Sequence, residues 1–222
     1  MLNNIDAIIF DIDGTLIDSM WVWTDIDDKF LGKYNLVEPE CFHEGMEGKS
    51  YSETAQYFLD LFPTLPHTRE EIEAEWHQMA FEIYTTKIQL KKGAYAFIKN
   101  MHDAGVKLGI ATSNARDLAE GVLINNKVFD YFDSIWTSDE AKAGKPAPDV
   151  YLRVAESLGV IPERCLVFED VPKGIMAGKN AGMKVCAVED AFSKPQEILK
   201  RKLADYYIQD FDDIKNKTYE VL

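Results

Sequence analysis

The chain has 222 residues, 46% hydrophobic and 28% charged, enough apolar material for one large domain or for a core carrying a smaller insert. A net charge of −14 repels polyanions and so excludes nucleic acid and anionic membrane surfaces as expected partners. It leaves room for a small phosphorylated ligand, because a metal and one or two local cations can reverse the potential inside a cleft.

In chain order, Ile8-Ile9-Phe10 reads as a buried strand that runs into Asp11-Ile12-Asp13-Gly14-Thr15. Alternation along an extended chain sends Asp11 and Asp13 the same way and Ile12 into the core. From about Ser19 to Ile88 no strand is convincing, and apolar residues recur at helical spacing: Trp23, Ile26, Phe30 and Leu31, then Ala55, Phe58, Leu59 and Phe62, then Ile72, Trp76, Met79 and Ile83. Ser52 with Glu53, and Thr68 with Glu71, look like helix starts of the capping-box kind. An all-helical block placed after the first strand of a parallel sheet predicts a small second domain over residues 19–88, inserted in a core made of 1–18 and 89–222.

From Val106 the chain alternates strand and helix. Strands are expected at Val106 to Ala111, Ser134 to Trp136, Arg164 to Phe168, Lys184 to Val188 and Tyr206 to Ile208, with helices at Asp117 to Asn125, Pro148 to Leu158 and up to Ala181. The fold class is therefore α/β, a doubly wound and mainly parallel sheet. Three cysteines, Cys41, Cys165 and Cys186, have no metal-ligand spacing, no run of roughly 18 apolar residues could span a bilayer, and no signal peptide is seen. These features point to a soluble cytoplasmic protein with no membrane partner, taken as a monomer.

Polar groups of complementary type gather at the strand ends. Asp11 and Asp13 can hold a hard cation such as Mg²⁺ or divide nucleophile and acid/base roles. Thr112-Ser113-Asn114 offers hydroxyls and N–H groups for an anion, Lys145 a cation before Pro146, and Glu169-Asp170 two more acids. Each alone has a plain alternative: a surface turn, a helix cap, a solvated lysine. Together they suit phosphoryl transfer, in which charge must be neutralised and a nucleophile held in line.

In order, Asp11-Ile12-Asp13-Gly14-Thr15, Thr112, Lys145-Pro146 and Glu169-Asp170 resemble the four motifs of the haloacid dehalogenase-like phosphatases. Gly-Lys-Pro-Ala-Pro-Asp and Phe-Glu-Asp-Val-Pro-Lys-Gly-Ile are similar to the β-phosphoglucomutase-like subgroup. The resemblance covers the whole chain, helical cap included. It implies that Asp11 is the nucleophile forming an aspartyl-phosphate and that Asp13 is the acid/base. It further implies that Thr112, Ser113, Asn114 and Lys145 hold the phosphoryl group. Mg²⁺ would be bound by the Asp11 carboxylate, the Asp13 carbonyl and Asp170, with Glu169 as a ligand or as support for one.

The expected activity is hydrolysis of a small phosphorylated metabolite. The β-phosphoglucomutase pattern places a His and an Arg where this chain has Trp23 and Tyr51, so a sugar-phosphate mutase is the alternative and a non-enzymatic phospho-accepting switch a distant one. Lys49, Ser50, Arg116 and Trp23 are candidate substrate contacts. Trp21, Trp23, Tyr57 and Phe58 either stack on substrate or form the core of the cap. His43, His67, His77 and His102 match no motif.

Overall fold

The computed structural model describes residues 1–40 and 42–222; Cys41 lies outside them. Strands β1 (Ala7–Phe10), β2 (Lys107–Thr112), β3 (Ser134–Thr137), β4 (Cys165–Glu169), β5 (Lys184–Val188), β6 (Tyr206–Ile208) and β7 (Glu220–Val221) form one sheet in the order 3-2-1-4-5-6-7. All pairs are parallel except β6–β7. The sheet is the doubly wound one expected, and β1 lies in its interior with Phe10 in register with Ile110 of β2 and Phe168 of β4. Strand order reverses at β1, so the ends of β1, β2 and β4 open on one crevice, where such sheets bind ligands.

All four β1 residues are buried, because both faces of the sheet are covered. Ile8 and Phe10 pack to one side, where Phe97, Phe168 and Phe211 surround the Phe10 ring. Ala7 and Ile9 pack to the other with Val150, Val154, Val167 and Ile175. Helices α1 (Met20–Tyr34), α2 (Phe42–Met46), α3 (Tyr51–Leu61) and α4 (Arg69–Thr86) follow β1. They bury Phe30, Phe58 and Trp76 against one another, with Phe58 and Trp76 ring centroids 4.7 Å apart.

The Thr68–Glu71 capping box forms at the start of α4. The other box is made by Ser50, not Ser52, with Glu53, because the chain becomes helical at Tyr51. Helices α5 (Ala94–Asp103), α6 (Arg116–Asn125), α7 (Asp149–Leu158), α8 (Pro172–Asn180), α9 (Glu197–Leu203) and α10 (Asp212–Asn216) complete the fold. Sequence periodicity did not anticipate α5, α9, α10 or the two-residue β7. In α9 the buried anchor is Lys200, while Ile198 faces solvent, so the helix carries no apolar stripe to read. Cys165 and Cys186 are buried free thiols, and burial raises the pKa of both. Among the described residues no helix is long and apolar enough to cross a membrane.

Candidate active site

At the end of β1 the chain turns, and Gly14 makes the turn possible. Its φ is +74°, and a Cβ there would lie 2.5 Å from Asp170 Oδ2. The turn leaves Asp11 and Asp13 on the crevice, but in two separate environments.

Asp11 belongs to a buried charge cluster. Lys145 Nζ donates to Asp11 Oδ1 at 2.7 Å and to Glu169 Oε1 at 2.6 Å, and reaches the Ala111 carbonyl at 3.3 Å. Tyr151 donates its hydroxyl to the same Glu169 oxygen at 2.5 Å, and the Asp170 N–H donates to Glu169 Oε2 at 3.1 Å. Thr15 Oγ1 donates to Asp170 Oδ1 at 2.9 Å. Burial would lower the lysine pKa, yet the carboxylates of Asp11 and Glu169 hold it above its ordinary value. Burial raises Asp11 well above the usual carboxylate range, opposed by Lys145 and reinforced by Glu169 and Asp170. Asp170 is pushed up to about 7 by burial, then by the charges of Glu169 and Asp190.

The donor set here fits an oxygen-seeking divalent cation. One carboxylate oxygen from each of Asp11, Glu169 and Asp170 lies within 4.8 Å of the others. Three acids meet one ammonium, so the buried charge is unbalanced. Asp170 Oδ2 is buried with no hydrogen-bond partner among the described residues, an orphan acceptor beside the bare backbone of Gly14. The Asp13 carboxylate is not in this group.

Asp13 is instead wrapped by donors. Its Oδ1 accepts from Ser19 Oγ at 2.6 Å, from Trp23 Nε1 at 3.4 Å and from the Tyr84 hydroxyl, and its Oδ2 from Asn114 Nδ2 at 2.9 Å. Two of those donors come from α1 and α4, so the helical block touches this acid directly. Tyr84 was not anticipated: the α4 stripe that turns inward is Ile72, Trp76, Ala80 and Tyr84, whereas Met79 and Ile83 are only partly buried. A strict i, i+4 count from Ile72 would have found it. Ser19, Thr15 and Tyr151 were likewise not singled out.

Thr112, Ser113 and Asn114 lie where β2 ends. Thr112 Oγ1 accepts the Asn114 N–H at 3.1 Å, so that N–H is already engaged inside the turn. Ser113 Oγ faces Ser138 Oγ at 3.4 Å. These three residues, with Asp11, Asp13, Lys145, Glu169 and Asp170, line a cavity of about 440 Å³.

Of the candidate substrate contacts, Trp23 and Lys49 line that cavity. Ser50 does not, because its side chain accepts the Glu53 N–H that caps α3. Arg116 does not either: Glu140 and Glu120 hold its guanidinium on the surface, and it donates to the Ile135 carbonyl at 2.9 Å. Trp21 is half exposed, and Phe58 is in the core of the helical block. His43 borders the cavity; His67 and His77 pair with Glu71 and Asp117 and His102 with Asp103.

The helices are tied to the sheet beside the cavity. Lys173 donates its N–H to Glu47 Oε1 at 3.0 Å, and Gln196 Nε2 donates to Glu47 Oε2 at 2.7 Å. Gly48, at φ +78°, lies so near the Lys145 carbonyl that a Cβ would come within 2.5 Å of it.

A family profile described as haloacid dehalogenase-like hydrolase matches residues 8–188. The chain is 32% identical over 197 residues to "(DL)-glycerol-3-phosphatase 1, mitochondrial" of Arabidopsis thaliana, covering 85% of this chain and 65% of that protein. It is 33% identical over 210 residues to the "Bifunctional riboflavin kinase/FMN phosphatase" of the same plant, covering 94% of this chain and 54% of that protein. It thus spans less than two thirds of the length of either relative. In fold it is similar to CbbY from Rhodobacter sphaeroides, solved in complex with phosphate, with a TM-score of 0.84 at 23% identity over 95% of this chain and 96% of that one.

Proposed function

The chain belongs to the haloacid dehalogenase-like hydrolases, and we propose that it is a Mg²⁺-dependent phosphatase of a small phosphorylated metabolite, working through an aspartyl-phosphate on Asp11. The observation that carries this reading is the division of labour between the two acids of one turn. Asp11 is buried against Lys145 at 2.7 Å, while Asp13, two residues on, is held apart by four neutral donors. We take residues 19–88 as a cap domain over a core of 1–18 and 89–222.

In the proposed reaction an Asp11 carboxylate oxygen attacks phosphorus, and the bond from phosphorus to the ester oxygen breaks. Asp13 gives that oxygen a proton, so the product leaves as an alcohol. Asp13 then takes a proton from water as water attacks the aspartyl-phosphate, releasing phosphate and restoring both acids. Lys145 offsets the repulsion between the Asp11 carboxylate and an incoming phosphate dianion, and Thr112 and Ser113 offer hydroxyls at the same wall of the cavity. Asp11 and Asp170, with Glu169 and the Asp13 carbonyl, are the residues that would hold Mg²⁺, which when bound neutralises charge on the transferring group.

Water rather than a second sugar hydroxyl is the acceptor in this reading. Trp23 and Tyr51 pack with ring centroids 6.0 Å apart, and the Tyr51 hydroxyl donates to the Glu73 carbonyl at 3.3 Å. Neither can grip the second phosphate of a bisphosphate intermediate as a guanidinium would. The test is a panel of phosphate monoesters with Mg²⁺, followed by free-phosphate detection and, for β-glucose 1-phosphate, by glucose 6-phosphate as well. Phosphate release is expected to dominate. Glucose 6-phosphate forming faster than phosphate would establish a mutase.

Two further results are expected. Mg²⁺ at about 100 times its Kd should stabilise the protein by roughly 2.7 kcal/mol, or about 5–10 °C in Tm. Chelator should stop turnover. Asp170→Asn should lose most of that thermal shift and Glu169→Gln less of it, since Glu169 is already committed to Lys145 and Tyr151. Full activity in chelator would sink the metal assignment. Tyr84→Phe, which removes one donor from Asp13, should lower kcat/KM, which reports only the steps up to departure of the leaving group, about tenfold on an alkyl phosphate. It should cost much less on p-nitrophenyl phosphate, whose leaving group departs as a stable anion. Equal losses on both esters would mean that Tyr84 does not position Asp13.

A further inference from the structure

The cavity has a second half that phosphoryl transfer leaves unused. Its walls are Trp23, Thr24 and Asp27 of α1, Tyr51 and Thr54 of α3, and Trp76 of α4. Their polar atoms determine what this half can bind. Thr24 Oγ1 donates to the Met20 carbonyl at 3.3 Å and Thr54 Oγ1 to the Ser50 carbonyl at 2.9 Å, so each hydroxyl hydrogen is spent and only lone pairs remain. The Tyr51 hydroxyl is spent on Glu73.

Asp27 is the least settled group. The residue is 9% exposed, it receives no hydrogen bond from any described residue, and the imidazole nitrogen His43 Nδ1 is 3.9 Å away. Burial, then the charges of Glu38 and Asp28, push its carboxyl up to about 7, as befits a buried acid that no donor stabilises. Trp76 Nε1 is a buried donor that also lacks a partner among the described residues. Leaving such groups unpaired is costly, and a ligand that pairs them recovers that cost. Among the described residues no arginine lines the cavity. Apart from Lys145, its one lysine among the described residues is Lys49, whose ammonium sits over the Tyr57 ring at 5.6 Å.

We infer that this half binds the alcohol portion of the substrate, with Asp27 as the residue that sets specificity. It selects a phosphate monoester whose far end donates hydrogen bonds and carries no second anion. The Trp23, Tyr51 and Trp76 rings give the C–H face of such a group an apolar wall, with Tyr51 and Trp76 centroids 6.0 Å apart. Asp27 and the two threonines accept its hydroxyl or ammonium hydrogens. A second phosphate or a carboxylate would instead be brought against a buried acid with no guanidinium to offset it. The inference rests on the preceding reading, that the Asp11 half takes the phosphate.

The experiment compares matched esters of two sizes: glycerol 3-phosphate, phosphoethanolamine and 3-phosphoglycerate; then glucose 6-phosphate, glucosamine 6-phosphate, 6-phosphogluconate and fructose 1,6-bisphosphate. Wild type is expected to favour the neutral and amino members over the anionic ones by at least about thirtyfold in kcat/KM in one size series. The hydroxyl and ammonium arms tell which donor is preferred. Asp27→Asn should raise KM for the favoured ester about tenfold with little change in kcat, and Asp27→Lys should narrow or reverse the preference. A merely structural Asp27 would lower turnover of every ester alike and leave the ratios fixed, which would overturn the inference. So would anionic members hydrolysed as well as neutral ones, or p-nitrophenyl phosphate turned over while neutral and amino members of both sizes are refused. Failure of wild type on p-nitrophenyl phosphate as well would instead count against the phosphatase reading, and both together would fall.

Discussion

Asp11→Asn should reduce phosphate release by at least about a thousandfold while the protein stays folded. The amide fills the same space and can still accept from Lys145, but it cannot attack phosphorus to give an acyl-phosphate. The Lys145 ammonium then faces one carboxylate, Glu169, in place of two, at the distance of 2.6 Å seen in the structure. Because burial and the neighbouring acids already disfavour a charged Asp11, Tm should change by only a few degrees. The decisive measurement is acid-quenched mass spectrometry during turnover. Wild type should show a phosphoryl adduct on the peptide containing Asp11, and the variant none. Retention of more than a few per cent of the wild-type rate, or an adduct elsewhere in the chain, would exclude Asp11 as the nucleophile.

Lys145→Met should be the most damaging single change to stability and nearly as damaging to turnover. The side chain is 3% exposed and, among the described residues, its ammonium is the one cation bonded to Asp11 and Glu169. Removing it leaves two buried carboxylates uncompensated beside Asp170, a loss of about 3–5 kcal/mol for a broken buried pair. For a chain of this length that corresponds to a fall of roughly 10 °C in Tm. Turnover should drop about 10²–10³-fold, because the phosphate dianion then meets Asp11 without a neutralising charge. Adding Glu169→Gln to Lys145→Met should recover much of the Tm, since it removes one orphaned charge, and should recover none of the rate. If the double variant regained activity, Lys145 would be acting on fold alone. If the single variant were as stable as wild type, the cluster would not be the buried ion network described.

Several features were legible in residue order because they depend on local periodicity. The apolar runs at Ile8 to Phe10 and Cys165 to Phe168 read as buried strands, and both are interior parallel strands of the sheet, buried on both faces. The acids Asp11, Asp13, Glu169 and Asp170 stood out because a buried strand has no use for a carboxylate at its end unless something binds there. Their meeting on one crevice follows from the strand order, which sets β1 beside β4. Helix α7 ends at Leu158 as expected, with Gly159 capping it at φ +68°.

Tertiary packing decided the rest. Asp13 and Tyr84 are 71 residues apart, and only the rotation of α4 about its axis determines whether Tyr84 or Ile83 faces the acid. Ser50 and Arg116 carry side chains suited to a phosphate, yet one is drawn into a helix cap and the other into a surface network with Glu120 and Glu140; sequence spacing cannot weigh those competing partners. Helix α9 and strand β7 have too little apolar pattern to be read and exist because neighbours receive them. Lys200 reaches the Val188 carbonyl at 2.9 Å, and β7 pairs with β6. Residue order therefore determined which chemical groups this protein has and the end of the sheet where they gather. Which of them touch was decided by side chains brought together across the fold, because a contact energy depends on distances that local periodicity does not contain.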